Sequence, residues 1–350
     1  MAAKRDCESI ILRCIDMIRN IFHPELFHGA GKRPPFFEGW YYKVIDKTEQ
    51  HRFAFIPGIF LHEQEDQRHA FVQVLDGSSG ASKYHRYDPG EFSSTEPEFR
   101  LSVGTNRFSG TGLKLDLHHE GQHIQGELRF EGTTPWPVTF FSPGIMGWYA
   151  WVPFMECYHG VLSLDHALRG SLVINGQEVD FTSGRGYIEK DWGRSFPSAH
   201  IWMQSNHFGL TGTSLSASVA IIPWIRTSFP GFIVGFLHDG HLYRLATYTG
   251  ARIRGLTVNE ASVHWTIADK KHELSIHATR LGGGLLHAPT TTEMSQRLLE
   301  SLVATVEVEL RERSGPVIFS GTGRQAGLEI GGDIPALLQK VTFHQFLTGI

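Results

Sequence analysis

The chain has 350 residues, of which 41% are hydrophobic and 12% aromatic, enough to build one large core or two smaller ones. A formal net charge of −4 and the lack of any long Lys/Arg block leave no electrostatic footprint for nucleic acid, so no DNA or RNA partner is expected. Three cysteines (Cys7, Cys14 and Cys157) and no Asn-x-Ser/Thr acceptor give no sign of a disulfide-built secreted domain and favour a reducing, intracellular compartment.

Residues 1–22 lack the apolar core and cleavage site of a signal peptide. Ile11, Ile15, Ile18 and Phe22 recur at helical spacing, which predicts a short amphipathic helix that either packs on the body or makes peripheral contact with a membrane. No apolar run approaches the length of a bilayer span, so the chain is expected to be soluble or peripherally membrane-associated. From His23 the periodicity becomes strand-like. Residues 36–44, 52–61, 69–75 and 99–103 are short aromatic and β-branched runs punctuated by Gly, Pro and Asp. Leu113, Leu115 and Leu117 alternate with polar residues and return after Gly121 in the run 124–130, a hairpin; Asn175-Gly176 and Asp239-Gly240 mark two more. Residues 292–302 read as a short helix, followed by a strand in which Val306, Val308 and Leu310 alternate with charged residues. Many short antiparallel strands with few helices predict an all-β chain of two consecutive β-barrel domains, 23–193 and 194–350, behind the helix of residues 1–22.

One stretch concentrates chemistry near that boundary. In an extended Tyr187-Ile188-Glu189-Lys190-Asp191-Trp192, the side chains of Tyr187, Glu189 and Asp191 share one face and Ile188, Lys190 and Trp192 the other. The run after Pro197 places His200, Trp202, Gln204 and Asn206 together on a face too polar for an ordinary core and too aromatic for an ordinary surface. A domain junction is a common place for a ligand pocket. The familiar nucleophile-elbow, phosphate-loop and zinc-protease signatures are absent. The twenty histidines are scattered or, like His118, His119 and His123, sit at a hairpin tip, so no metal site is expected.

Six motifs in register carry a family resemblance: Phe36-Phe37-Glu38-Gly39-Trp40-Tyr41, residues 187–193, Ser195-Phe196-Pro197, Trp202 with Gln204 and Asn206, Leu286-His287-Ala288-Pro289-Thr290, and residues 326–333. Together they resemble the tocopherol cyclase family of plants and cyanobacteria, which is lipocalin-like and distantly related to bacterial carotenoid hydratases. The resemblance implies two lipocalin-like barrels, a prenylated hydroquinone or other isoprenoid as substrate, and its acid-catalysed closure to a chromanol, an intramolecular lyase reaction of vitamin E biosynthesis that needs no redox cofactor or metal.

A carboxylic acid that donates a proton near neutral pH must be held protonated, by burial or by a second carboxylate, and a developing carbocation is stabilised by aromatic faces. Glu189 and Asp191 both meet that condition if their face is inward, and the resemblance makes Glu189 the expected donor, with Glu38 as second choice; Trp40, Tyr187, Trp192 and Trp202 are the expected aromatic contacts. His200, Gln204 and Asn206 are expected to hold the hydroquinone oxygens, His200 also taking the phenolic proton. Family members carry Asn where this chain has Asp191, and a basic-aromatic pair where it has Ala199-His200, so Asp191 is an acid peculiar to this chain or a ligand to the donor. Two alternatives use the same residues differently: hydration of an isoprenoid alkene, as in a hydratase, or non-catalytic binding of a hydrophobic ligand in a lipocalin-like barrel.

Overall fold

A computed structural model describes residues 18–119 and 121–348. It is mostly β, in two large sheets whose ladders are all antiparallel. The first sheet comprises β1 (Phe36–Ile45), β2 (Arg52–Leu61), β3 (His69–Asp76), β4 (Ser82–Tyr87), β5 (Phe92–Thr95), β6 (Arg100–Val103), β7 (Asn106–Ser109), β8 (Gly112–His119), β9 (Gln122–Glu131), β10 (Cys157–Ile174), β11 (Gln177–Asp180) and β12 (Arg185–Gly193). Its order is β4-β3-β2-β1-β12-β10-β9-β8-β7-β6-β5, with β11 on β10. The second comprises β13 (Ala199–Ser205), β14 (Ser214–Trp224), β15 (Thr227–His238), β16 (His241–Ala246), β17 (Arg252–Val258), β18 (Ser262–Ala268), β19 (His272–Thr279), β20 (Gly284–Pro289), β21 (Met294–Glu312) and β22 (Val317–Gly332). Here the order is β16-β15-β14-β13-β22-β21-β19-β18-β17, with β20 on β21.

The hairpin signals act as read. Asn175 and Gly176 both take positive φ, 51° and 87°, as do Asp239 and Gly240 at 48° and 71°, the conformation a tight two-residue hairpin needs. Strand alternation then sorts the side chains into three apolar cores. One lies within the first sheet (Trp40, Tyr42, Val44, Leu115, Leu172, Ile188) and one within the second (Ile201, Met203, Val219, Trp265, Val306, Leu328). The third lies between the sheets and includes Tyr41, Trp136, Val161, Tyr187, Trp202, Leu286 and Leu298. Burying a large apolar side chain contributes about 1.5–3 kcal/mol, so the seam between the sheets is held by substantial apolar contact before any polar group is counted.

The expected helix at 292–302 is instead the first half of β21. Leu298 and Leu302 are helically spaced, but both are buried in the seam between the sheets, and this half of the strand pairs with β20 and β22. Tertiary pairing overrides the local period. A helix the sequence reading lacks, α1 (Ile334–Thr348), closes the chain. Asp333 caps it by accepting the Ala336 N–H at 3.0 Å, and Leu337 and Val341 enter the core of the second sheet. Ile11 and Ile15 of the amino-terminal stripe lie outside the described residues; residues 18–22 are helical, and Phe22 stacks on Phe140 and meets Trp151 edge to face. Among the described residues no helix is long and apolar enough to cross a membrane.

Candidate active site

The site grows from strand parity at the seam. In β12 the even residues Ile188 and Lys190 point into the first sheet, while Tyr187, Glu189 and Asp191 point toward the second. Register sets Glu189 opposite Tyr41 on β1 and Val161 on β10, and Asp191 opposite His159. Across the seam, β13 presents His200 and Trp202, with Trp202 opposite Glu329 on β22 and Glu329 opposite Glu300 on β21. Two glycines of the 326–333 motif make room for these large side chains. A Cβ at Gly327 would lie 2.6 Å from the Trp202 ring, and one at Gly331 would lie 2.6 Å from the His200 ring.

Glu189, 5% exposed, is the hub. Its Oε2 accepts the Tyr187 phenol at 2.5 Å and the Trp202 indole N–H at 3.0 Å. His159 bridges the two acids of β12, with Nδ1 2.8 Å from Asp191 Oδ1 and Nε2 3.5 Å from Glu189 Oε2. Opposite, the Tyr41 phenol donates to Glu300, Glu300 stands beside Glu329 in the β21–β22 ladder, and His200 Nε2 lies 3.4 Å from Glu329 Oε2. All of these groups but Tyr187 line one side of a cavity of ≈ 180 Å³ whose other walls are largely apolar, including Phe37, Phe71, Phe196, Tyr149, Phe229 and Phe232.

Burial dominates the electrostatics. It pushes the Glu189 carboxyl up to about 7, with the Asp191 charge adding to the rise and His159 opposing it. Glu329 rises to about 8, again through burial, and Glu300 well above the carboxylate range by burial and its pairing with Glu329. His159 goes the other way: burial disfavours its charge, but Asp191 and Glu189 hold it as imidazolium up to about 9. Burial lowers His200 to about 4, leaving it neutral. Near pH 7 the cavity thus faces carboxyls that are half or more protonated, the His159 imidazolium and the neutral imidazoles of His200 and His287: a site equipped to give and take protons.

Of the residues singled out in the sequence, Glu189, Asp191, His200 and Trp202 meet at the cavity, and Tyr187 stands directly behind Glu189. Glu38, Trp40, Trp192, Gln204 and Asn206 do not line it, and each departure has a physical reason. Glu38 and Trp40 share parity with Tyr42 and Val44, so they face the first sheet's interior. There Glu38 is fully buried in a salt bridge to Lys190 at 2.5 Å, which with His28 holds it ionised and below its ordinary range. Trp40 and Trp192 flank the Lys190 ammonium at 4.7 and 4.6 Å. Gln204 and Asn206 share the face of Trp202 but lie beyond the acid cluster: Gln204 is fully buried, and Asn206 donates to Asp165 and to the Gly186 carbonyl.

His159 and Glu300 escaped sequence reasoning altogether, and Tyr41 and Glu329 stood in quoted motifs without a role. His159 lies on β10, remote from the 187–193 motif in sequence, and only the antiparallel register brings it to Asp191. Glu300 sat in the stretch read as a helix. His159, Glu189 and Asp191 also bring ligand atoms within 4.8 Å of one another, one imidazole and two carboxylates, a donor set a divalent cation could use. Both carboxylates are already engaged by His159, and Glu189 also by Tyr187 and Trp202.

Comparison with known proteins gives the chain a family. The family model described as tocopherol cyclase-like matches residues 108–332, and the chain belongs to that family. A probable chloroplastic tocopherol cyclase of Oryza sativa subsp. japonica is 25% identical, over 87% of this chain and 77% of its own length. The chloroplastic tocopherol cyclase of Zea mays is 26% identical over the same shares. Among solved structures, CghA with Sch210972 superposes with a TM-score of 0.57 at 10% identity, covering 86% of this chain and 89% of CghA, a likeness of fold alone.

Proposed function

We propose that this member of the tocopherol cyclase-like family closes a prenylated hydroquinone to a chromanol by proton transfer alone. Protonated Glu189 adds its proton to the less substituted carbon of the prenyl alkene, and a tertiary carbocation develops at the other. The phenol oxygen attacks that carbon, forming the C–O bond, and its proton leaves to His200. An oxygen that has just bonded to a carbocation is strongly acidic, so a neutral imidazole of low basicity suffices as acceptor. Glu329, 3.4 Å from His200, offers the return route toward Glu189. The product is an isomer of the substrate and no electrons move.

The observation that carries this reading is Glu189 itself, a buried carboxyl raised to about 7 at the edge of an apolar cavity. The aromatic faces of Trp202 and Tyr41, T-shaped to each other at 5.5 Å, contribute about 0.5–2 kcal/mol each to a desolvated cation. The two apolar cores, one within each sheet, support reading the chain as two lipocalin-like barrels, 23–193 and 194–350, with the reaction between them.

Incubation of the purified protein with a panel of prenylated hydroquinones in detergent and deuterium oxide, read by mass and ultraviolet spectrum, tests the proposal. The expected product is the cyclised isomer carrying one non-exchangeable deuterium. A product heavier by one water would make the protein a hydratase; tight binding with every substrate recovered unchanged would make it a carrier, and either outcome overturns the cyclase reading.

A further inference from the structure

The segment between β9 and β10 is unusual in composition: from Gly132 to Met155 it contains no Asp, Glu, Lys, Arg or His, and it carries Trp136, Phe140, Phe141, Trp148, Tyr149, Trp151 and Phe154. A soluble loop of that length is normally studded with charge. This one leaves Phe140 62%, Phe141 86%, Trp148 44% and Phe154 55% exposed. Beside it projects the tip of the β14–β15 hairpin, where Ile225 is 81% exposed; residues 210–225 likewise contain no charged side chain. The two segments form one aromatic surface, since Trp224 touches Trp148, Tyr149 and Phe154 at ring separations of 6.3, 5.9 and 5.4 Å. It is larger and more contiguous than the scattered apolar residues any surface carries.

That surface is continuous with the cavity. Tyr149 and Phe229 line the cavity wall and are in contact with each other and with Trp224. A cavity for a lipid-soluble substrate therefore has, on the outside of one wall, a projection rich in tryptophan and phenylalanine whose one charged side chain is Arg226 in the hairpin turn. Such side chains settle at the boundary between headgroups and acyl chains. A convex hairpin tip ending in an exposed isoleucine suits insertion into a deformable medium better than docking against a rigid protein face.

We infer that residues 138–154 and the Trp224-Ile225 tip form a lipid-docking surface, which seats the cavity against a membrane so that an isoprenoid substrate enters without crossing water. The identity of the cargo rests on the function proposed above; the docking surface does not, because it can be measured without turnover. Sedimentation with phosphatidylcholine vesicles, at physiological salt, is the test. The wild-type protein is expected to co-sediment, and the double variant Phe141→Glu/Ile225→Glu to bind at least about tenfold more weakly, since each side chain forfeits the transfer of a large apolar group. Neither residue lines the cavity, so turnover of detergent-dispersed substrate should be unchanged, which also shows the variant is folded. Equal sedimentation of the two proteins would overturn the inference. So would a wild-type protein that ignores vesicles but self-associates in solution through contacts the double variant loses, because the surface would then cover a second copy. Vesicle binding without turnover of any substrate would leave the docking surface standing and remove the cyclase reading.

Discussion

Replacing Glu189 by Gln separates the acid's chemical role from its structural one. The carboxamide oxygen still accepts from Tyr187 and Trp202, so the hub keeps its hydrogen bonds, while the transferable proton is gone. Turnover is expected to fall at least about 100-fold, the lower end of general-acid contributions. With the carboxyl at about 7, roughly half of it is protonated at neutral pH and roughly a tenth at pH 8. Wild-type kcat should therefore drop about tenfold per pH unit above 7, and this limb should vanish from the residual rate of the variant.

The substitution moves stability the other way, toward a more stable variant at high pH. Folding raises this acid from 4.5 to about 7, so the stability it contributes is complete below the unfolded value and is lost as pH rises through 7. The difference is worth ~3 kcal/mol. Gln does not ionise, so Glu189→Gln should match the parent near pH 4 and exceed it at pH 8 in urea midpoint. Stopped assays of product across pH 5–9, paired with urea melts at both ends, supply all the numbers. A variant that keeps more than about a tenth of parental turnover with the same alkaline limb would refute the assignment and move the donor to the Glu300–Glu329 pair.

Asp191→Asn keeps an acceptor for His159 and should retain most activity, with the alkaline limb moved to lower pH because a charge that raises Glu189 is gone; an inactive Asn variant beside an active Glu189→Gln would make Asp191 the acid. Gly327→Ala puts a methyl against the Trp202 ring and should cut kcat several-fold while leaving the circular dichroism spectrum unchanged; unaltered kinetics would show that the indole's contact with Glu189 is dispensable. Lys190→Met strands the buried Glu38 charge and should cost about 3–5 kcal/mol in a urea melt, of which Glu38→Gln in the same chain should restore a large part; a melt insensitive to the single change would argue that the pair carries no stability. Treatment with EDTA should leave turnover intact, because the His159, Glu189 and Asp191 ligand atoms are committed to one another; loss on chelation with recovery on adding a divalent cation would convert the cluster into a metal centre.

What could be read from the chain alone was whatever two-residue periodicity and turn chemistry encode. Asn175-Gly176 and Asp239-Gly240 could be read because their left-handed backbone demands those residue types. The partition of Tyr187, Glu189 and Asp191 from Ile188 and Lys190 followed from strand parity. Parity within one strand, however, does not say which of two sheets a face meets, and so Glu38 and Trp40 were assigned to the cavity although they line the interior of the first sheet. Depth along a face is equally silent, and Gln204 and Asn206 fell on the correct side of β13 but past the cavity. His159 had no local signal at all, since only register carries it to Asp191. The Asp333-Ile334-Pro335 start of α1 was a readable capping signature that had been absorbed into the preceding motif.

The acid cluster is assembled across a gap: Glu189, Asp191 and His159 stand on one sheet, His200, Trp202, Glu300 and Glu329 on the other, each half resting on its own apolar core. Burial sets most of the proton affinity of each acid, but Glu329 is raised further by Glu189 and Asp191 on the opposite sheet, so the spacing between the two sheets enters it directly. A substitution deep in either core that tilts its sheet by a fraction of an ångström would leave secondary structure and bulk stability almost untouched, yet change how closely like charges approach across the gap. Under the proposed reaction the pH optimum is in that sense a strain gauge: neutral drift far from the cavity would be recorded first as a displaced optimum, before any loss of fold.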